Sequence, residues 1–388
     1  MNDKPAGGRK CAKLRGRAAA ALLAALLVLL AGCYNYTGVD QFAIVIGVAL
    51  DKAEDGEFMI SFEIIDIKNS SKEDGIKSVV VQSKGVTVFE AIRDARRRSS
   101  YKLYFGNVEA VFISEELARE GLYAFLDWLY RDEECREVVD VVISKEPTAR
   151  ALFKSVGMES FIVAEEVSNI LQGDMESVGS VQRGALYEVY NRLKKPGISL
   201  ILPAFRLVEN DGEQTVESDG MAVFAGDKLL GFLDTERSKI MMFVLNKKKT
   251  GIFTLNTDWG APENLSLEIV DNKTTKKFTY EGGRVKVKIS TVTSVFVAED
   301  RDTLVKFEEE DIEQIEKNFK RRLESDIKQL IRHVQTEFGS DIFGFGNMIY
   351  RKNPKLWRQL EADWDSIFPE IEVEVSSKLL ILNTAYIR

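Results

Sequence analysis

The chain has a single histidine, His333, in 388 residues. Ser-His-Asp and Cys-His constellations need a placed imidazole, and zinc patterns need several. That count argues against hydrolase and metalloenzyme chemistry. Cysteine is nearly as scarce. Cys11, Cys33 and Cys135 include no CxxC spacing, so neither a zinc ribbon nor a thioredoxin-type site is encoded. Proline is low, at 7 residues, and no long Pro/Gly linker or internal repeat is visible. One long apolar run and a mean hydropathy of −0.13 exclude a multi-span membrane protein. What remains is globular: 45% hydrophobic and 29% charged residues leave no room for a disordered or collagen-like reading.

The N-terminus reads as an export signal. Lys4, Arg9, Lys10, Lys13, Arg15 and Arg17 face one acid, Asp3, and an unbroken Ala/Leu/Val run follows from Ala18 to Leu30. A basic segment followed by an apolar stretch of this length is a secretory signal. A spanning helix would need about 20 apolar residues. The run ends in Leu30-Ala31-Gly32-Cys33, which has the form of a bacterial lipobox, with Cys33 as the lipidated mature N-terminus. An ordinary signal peptide with a chance cysteine is the alternative. Two acyl chains on Cys33 would suffice for stable attachment, since each buried CH₂ contributes about 0.8 kcal/mol. Cleavage before Cys33 leaves 47 basic and 60 acidic residues, a net charge of −13 against −8 for the whole chain. Such a domain is a poor nucleic-acid binder. Its one remaining thiol, Cys135, can form no intrachain disulfide.

The mature chain reads as α+β, with mixed β-sheets, packed helices, two to three subdomains and a long amphipathic helix near the C-terminus. The expected division is a signal peptide over 1–32, an N-terminal domain over 33–212 and a C-terminal domain over 213–388, the last possibly split near 300. Strands are expected at 42–50, 57–67, 107–113, 138–143 and 198–208. Helices are expected from Thr87 and over 121–129, 148–155, 158–171 and 180–194. Gly226-Asp227 marks a hairpin between 216–225 and 228–233, followed by a helix over 234–246. Several strands then fill 250–298. The clearest spans Arg284 to Val297, where Val285, Val287, Ile289 and Val295 alternate with Lys286 and Lys288. Apolar residues at three- and four-residue intervals from Ile312 to Phe338 define one face of a helix over 308–338. A second helical stretch is expected at 341–361 and a last strand at 371–387.

Candidate chemistry is sparse. Gly344-x-Gly346 lacks the third glycine and preceding strand of a phosphate loop, so close helix packing is the favoured use of these glycines. Tyr350-Arg-Lys-Asn-Pro-Lys355 is a short basic turn, read as a solvated face or partner contact. Trp357 and Trp364 share one helix face and belong to a core. His333 is a partly exposed structural residue. Glu133, Glu134 and Glu137 could imitate paired acid–base carboxylates but sit in a charged loop. No catalytic, cofactor-binding or metal-binding residue is expected, and Cys33 is the only modification site.

Several segments together carry a resemblance: Phe42-Ala-Ile-Val-Ile-Gly-Val-Ala-Leu-Asp51 behind the lipobox, Gly85-Val-Thr-Val-Phe-Glu-Ala-Ile-Arg93, Lys102-Leu-Tyr-Phe-Gly106 and Glu115-Glu-Leu-Ala-Arg-Glu-Gly121. Gly220-Met-Ala-Val-Phe224 with Asp227-Lys-Leu-Leu-Gly231 adds to it. The most specific piece runs from Asp341 through Gly346 and Pro354 to Trp357, with Trp364 and Phe368-Pro369 beyond. In these the sequence resembles the C-subunit lipoproteins of bacterial spore germinant receptors, the Ger(x)C family, over nearly the whole mature chain. The resemblance implies an α+β fold, no enzyme activity and no cofactor. It implies two integral membrane subunits as partners in the inner spore membrane, and a response to small nutrient germinants. A tethered extracytoplasmic solute-binding lipoprotein is the alternative. Mixed strand order, in place of repeated βαβ units, disfavours it.

Overall fold

The computed structural model describes residues 41–67, 69–70, 75–156, 162–256, 264–300 and 309–383, with Ala21 and Gly38. Cys33 lies outside the described residues. The first half comprises β1 (Phe42–Lys52), β2 (Phe58–Ile65), β3 (Ser78–Gly85), α1 (Val88–Ala95), β4 (Lys102–Tyr104), β5 (Ala110–Ser114), α2 (Glu115–Glu120), α3 (Tyr123–Arg131) and β6 (Asp140–Ser144). A 3₁₀ helix at Ala149–Lys154 leads to α4 (Val163–Gly173), a π turn at Asp174–Val178, α5 (Leu186–Lys194) and β7 (Ile201–Asn210). Then come β8 (Glu213–Ala225), β9 (Lys228–Leu233), α6 (Thr235–Val244), β10 (Ile252–Asn256), β11 (Asn264–Glu281) and β12 (Arg284–Asp300). The chain ends in α7 (Glu309–His333), a π turn at Val334–Phe338, α8 (Phe345–Lys352), α9 (Pro354–Leu360), α10 (Trp364–Ile367) and β13 (Glu372–Asn383).

Among the described residues, nine strands form one mixed sheet in the order β3-β2-β1-β5-β6-β7-β8-β9, with β4 also on β1. Its centre, β1-β5-β6-β7, is parallel, and antiparallel hairpins extend both edges. Both faces are covered, so β5 and β6 are buried at every position, as parallel strands usually are. Phe62, Val111 and Ile113 face α1, α2, α3 and α5, in a core that includes Phe125 and Trp128. Phe112 and Val142 face the other way, toward α4 and α6.

That second core continues into a four-stranded sheet, β10-β11-β12-β13, and α7. The alternation expected for β12 is borne out: Val285, Val287, Ile289, Val295 and Val297 are buried. The long helix is also where its periodicity places it. Ile315, Phe319, Leu323, Ile327, Leu330 and Ile331 are buried, while Ile312 and Phe338 are half-buried. Three acids in its first turn complement the helix dipole. Its contact with the sheet is direct: Glu324 accepts the Ser377 N–H at 2.8 Å, and Ser377 Oγ donates to the Lys320 carbonyl at 3.2 Å.

Local chemistry explains several boundaries. Thr87 accepts the Glu90 N–H while Glu90 Oε2 accepts the Val86 N–H, so α1 starts in the manner of a capping box. Asp211 and Gly212 both have positive φ, 52° and 83°, the geometry of a two-residue hairpin turn. They join β7 to β8, which pair from Ile201↔Val223 to Asn210↔Glu213. The division expected at 212/213 thus falls at the tip of a hairpin within one sheet.

Four expectations differ from the structure. Strand β3 lay unrecognised between the charged turn and Thr87, because this edge strand exposes Val79 and Val80 and has no apolar alternation. The stretch 148–155 is a 3₁₀ helix. Residues 180–184 are not helical, because the buried Asp174 carboxylate takes the Ser180 and Val181 N–H groups at 2.8 and 2.9 Å. The stretch 341–361 is not one helix. It opens with a turn, and Asn353 ends α8 and caps α9 by accepting the Leu356 N–H, with Pro354 at the first position.

Leu323 is fully buried on the face that α7 turns to the sheet. Replacing it with Asp removes a buried side chain and inserts a carboxylate without partners. Leu323→Asp is expected to lower stability by about 4 kcal/mol or more. An unchanged midpoint in urea unfolding would contradict this packing.

Candidate functional site

The segment 340–347 connects elements that are distant in sequence. Ser340 Oγ donates to the Phe224 carbonyl at 2.7 Å, the Asp341 carbonyl accepts the Ser199 N–H at 2.8 Å, and the Gly197 carbonyl accepts the Asn347 N–H at 2.7 Å. Asn347 Nδ2 donates to the Pro196 carbonyl. The turn after α5, the strand β8 and the start of α8 are thus held together. Gly346 makes this possible: a Cβ there would lie 2.8 Å from Gly197 Cα and from both the Trp357 and Trp364 rings. The glycines serve close packing, as expected, although the close neighbour is the 196–197 turn. Trp357 and Trp364 are buried with ring centroids 5.2 Å apart.

Asp341 lies beneath this turn, 4% exposed. Its carboxylate accepts the Phe345 and Gly346 N–H groups at 3.1 and 2.8 Å, and so caps the start of α8. Burial pushes its carboxyl up to about 6, against the pull of these bonds and of the Lys276 charge. Two cations are held close by. Lys276 Nζ donates to the Phe343 carbonyl at 2.7 Å. Arg192 donates from Nε to the Ser199 carbonyl and from Nη2 to the Ile342 carbonyl. Burial lowers Lys276 to about 8 and Arg192 to about 10.

Over this turn opens a cavity of ≈520 Å³. Arg192, Lys247, Lys276, Arg351 and Lys352 contribute to its wall, and no acidic side chain does. Among the described residues none of these five forms an ion pair. Two other cavities differ in character. One of ≈620 Å³ beside His333 is lined by Arg237, Lys239 and Arg322, each paired with a carboxylate. One of ≈680 Å³ lies over Tyr123, Tyr130 and Tyr190, where Tyr130 and Tyr190 stack at 4.5 Å.

The structure gathers two residues of the basic turn, Arg351 and Lys352, with three basic residues that sequence reasoning did not single out. Arg192 and Lys247 carry no sequence signal. Lys276 is placed by the structure, where it shares its side of β11 with the buried Asn272 and Thr274. The remaining candidates are dispersed. His333 is half-buried and lies edge-on to Phe338. Glu134 is tied to Lys102 and to the Phe105 N–H, whereas Glu133 and Glu137 are exposed. Burial, and then the charges of Asp132 and Glu134, push the Cys135 thiol up to about 12, which suppresses thiolate chemistry. Other buried carboxylates hold backbone. Glu63 accepts the Val163 and Ala164 N–H groups at the start of α4, and Asp51 accepts those of Ala149 and Arg150. Among the described residues no cluster of His, Cys, Asp and Glu could hold a metal ion, and no helix is long and apolar enough to cross a membrane.

The fold and the site thus define an α+β protein whose buried charges organise backbone around a cationic cavity. Comparison with known proteins gives the family. Residues 35–207 match the spore germination protein N-terminal domain, and 219–385 match the spore germination B3/GerAC-like C-terminal domain. The chain belongs to this Ger(x)C family. It is 24% identical to spore germination protein KC of Bacillus subtilis, over 94% of this chain and 95% of that one. It is 23% identical to spore germination protein B3 of the same organism, over 92% and 95%. The crystal structure of the GerBC protein matches with a TM-score of 0.56 and 20% identity, over 87% of this chain and 97% of that one. That match supports the α+β fold expected from the sequence.

The raised Asp341 carboxyl has a definite pH consequence. Between its ordinary value and about 6, the folded chain keeps a proton that the unfolded chain has lost. The resulting stabilisation is complete below the ordinary carboxylate value and disappears as pH rises through 6. An Asp341→Asn chain has no such titration. The stability of the native chain relative to this variant is expected to fall by about 2 kcal/mol from pH 4 to pH 7. Urea unfolding of both proteins across that range measures it, and a constant difference would refute the buried carboxyl.

Proposed function

We propose that the chain is a non-enzymatic, lipid-anchored subunit of a nutrient germinant receptor. In this reading a diacylglycerol thioether on Cys33 tethers the domain to the outer face of the cytoplasmic membrane, which becomes the inner membrane of the spore. Its partners are the receptor's integral membrane subunits. The match to two spore germination domain models over nearly the whole chain carries this reading. The site chemistry agrees with it, since the buried carboxylates described above are committed to backbone N–H groups and ion pairs. A lipid anchor would confine the domain to the bilayer surface and raise its effective concentration near membrane partners. The basic segment, apolar run and Leu30-Ala-Gly-Cys33 are the sequence basis for the anchor. The solute-binding alternative calls for two βαβ-rich lobes; among the described residues one sheet is mixed and extended by hairpins, and the other, β10-β11-β12-β13, is mainly antiparallel.

Two experiments test the proposal. Cells expressing the chain are labelled with a palmitate analogue. Cys33→Ala is expected to abolish label and release the protein from membranes, and a labelled, membrane-bound variant would remove the anchor from the proposal. Separately, spores lacking this chain and its paralogues are expected to lose the response to the cognate nutrient. They should still germinate by routes that bypass receptors. A normal response to every nutrient would reject the receptor role.

A further inference from the structure

We propose that the cavity over the 340–347 turn is a binding site for a small, multiply charged oxyanion, bearing carboxylate or phosphate groups. The chain is acidic, with a net charge of −8, yet Arg192, Lys247, Lys276, Arg351 and Lys352 share one cavity without an acidic neighbour in its wall. They come from α5, the segment after α6, β11 and α8. Local sequence does not account for their convergence.

In the cavity beside His333 three of the four Arg and Lys side chains are neutralised, and the fourth, Lys248, donates to the Val178 and Gly179 carbonyls. Arg237, Lys239 and Arg322 beside His333 each meet a carboxylate. Here the acid that acts most strongly on Lys276 and Arg192 is Asp341, and its oxygens are occupied by the Phe345 and Gly346 N–H groups. The inner cations are positioned by backbone and retain donors. Lys276 spends one N–H on the Phe343 carbonyl. Arg192 spends Nε and Nη2 on carbonyls, and Nη1 has no partner among the described residues. Gathering like charges in a partly dry site is unfavourable unless an anion joins them.

The size also fits. A volume of ≈520 Å³ is that of a small-ligand site. Guanidinium groups pair with carboxylate and phosphate in a two-bond fork, and lysine adds point charge. Two or more negative groups on one ligand would use the exposed Arg351 and Lys352 together with the inner pair. The cavity is built from this chain's own side chains, so anion binding can stand or fall separately from the receptor role.

The test is equilibrium binding to the full chain in neutral detergent, by calorimetry. Citrate and inorganic phosphate are the soluble probes, short-chain phosphatidylglycerol is the headgroup probe and glucose is the neutral control. The variant Arg351→Gln/Lys352→Gln alters two exposed side chains and should fold normally. Lys328→Gln/Arg332→Gln, on the exposed side of α7, is the charge-matched control. One-to-one binding of citrate or phosphate is expected, weakened at least tenfold by the first variant, unchanged by the second and reduced by added salt. Binding of the lipid probe alone, with the same dependence on Arg351 and Lys352, would identify the oxyanion as a headgroup phosphate. No binding of any charged probe, or equal loss in both variants, would overturn the proposal.

Discussion

The buried turn at 340–347, capped by the Asp341 carboxylate, is the junction at which the two sheets are joined. The carboxylate holds the first N–H groups of α8 and lies within the field of Lys276 and Arg192. Lys276 belongs to the four-stranded sheet, and Arg192 to a helix that covers the nine-stranded one. Their hydrogen bonds to Phe343 and Ile342 fix the same turn from two sides. A charge in such a site is costly unless bonded, and here the bonds are made with backbone from both halves. Either half alone would leave part of the network without partners.

The same device recurs at smaller scale. Glu63 reaches from β2 to the start of α4, and Gly47 leaves room for it, since a Cβ there would lie 2.9 Å from both Glu63 Oε2 and Ala164 Cβ. Asp51 performs the same task for the 3₁₀ helix. Both acids and Gly47 lie in or beside the segments that carry the family resemblance. In the Phe42–Asp51 segment, Gly47 and Asp51 thus have roles in construction of the fold. Asp140 is a related case, buried against Arg183. Burial raises all these carboxyls above their ordinary range.

Elements with one dry face were legible in the sequence. The α7 stripe and the β12 alternation each report a single large contact, and Thr87 announces α1 through its own side chain. Elements shaped by distant partners were not. Strand β3 is defined by pairing with β2, not by burial of its valines. Residues 180–184 lose their helix to the Asp174 carboxylate and to the Val141 N–H, which reaches the Gly184 carbonyl. The cavity was legible only in part. Arg351 and Lys352 appeared as a basic turn, but Arg192, Lys247 and Lys276 arrive from other elements, and only tertiary structure brings the five together.

The division of labour among charged residues follows from these constraints. A carboxylate committed to two backbone N–H groups has little freedom to exchange protons with a substrate, and a thiol raised to about 12 is a weak nucleophile. The lone histidine sits beside a cavity where Arg237, Lys239 and Arg322 are each paired with an acid. What the fold leaves open is positive: a set of cations held by carbonyls and not by acids. Carbonyl oxygens fix a cation's position while leaving its charge uncompensated, so the charge remains available to an incoming anion. Arg192 also spans the junction between the two sheets, through Ser199 on one side and Ile342 on the other. An anion drawn to Arg192 and Lys276 would therefore bear on the same contacts that set the two sheets against each other.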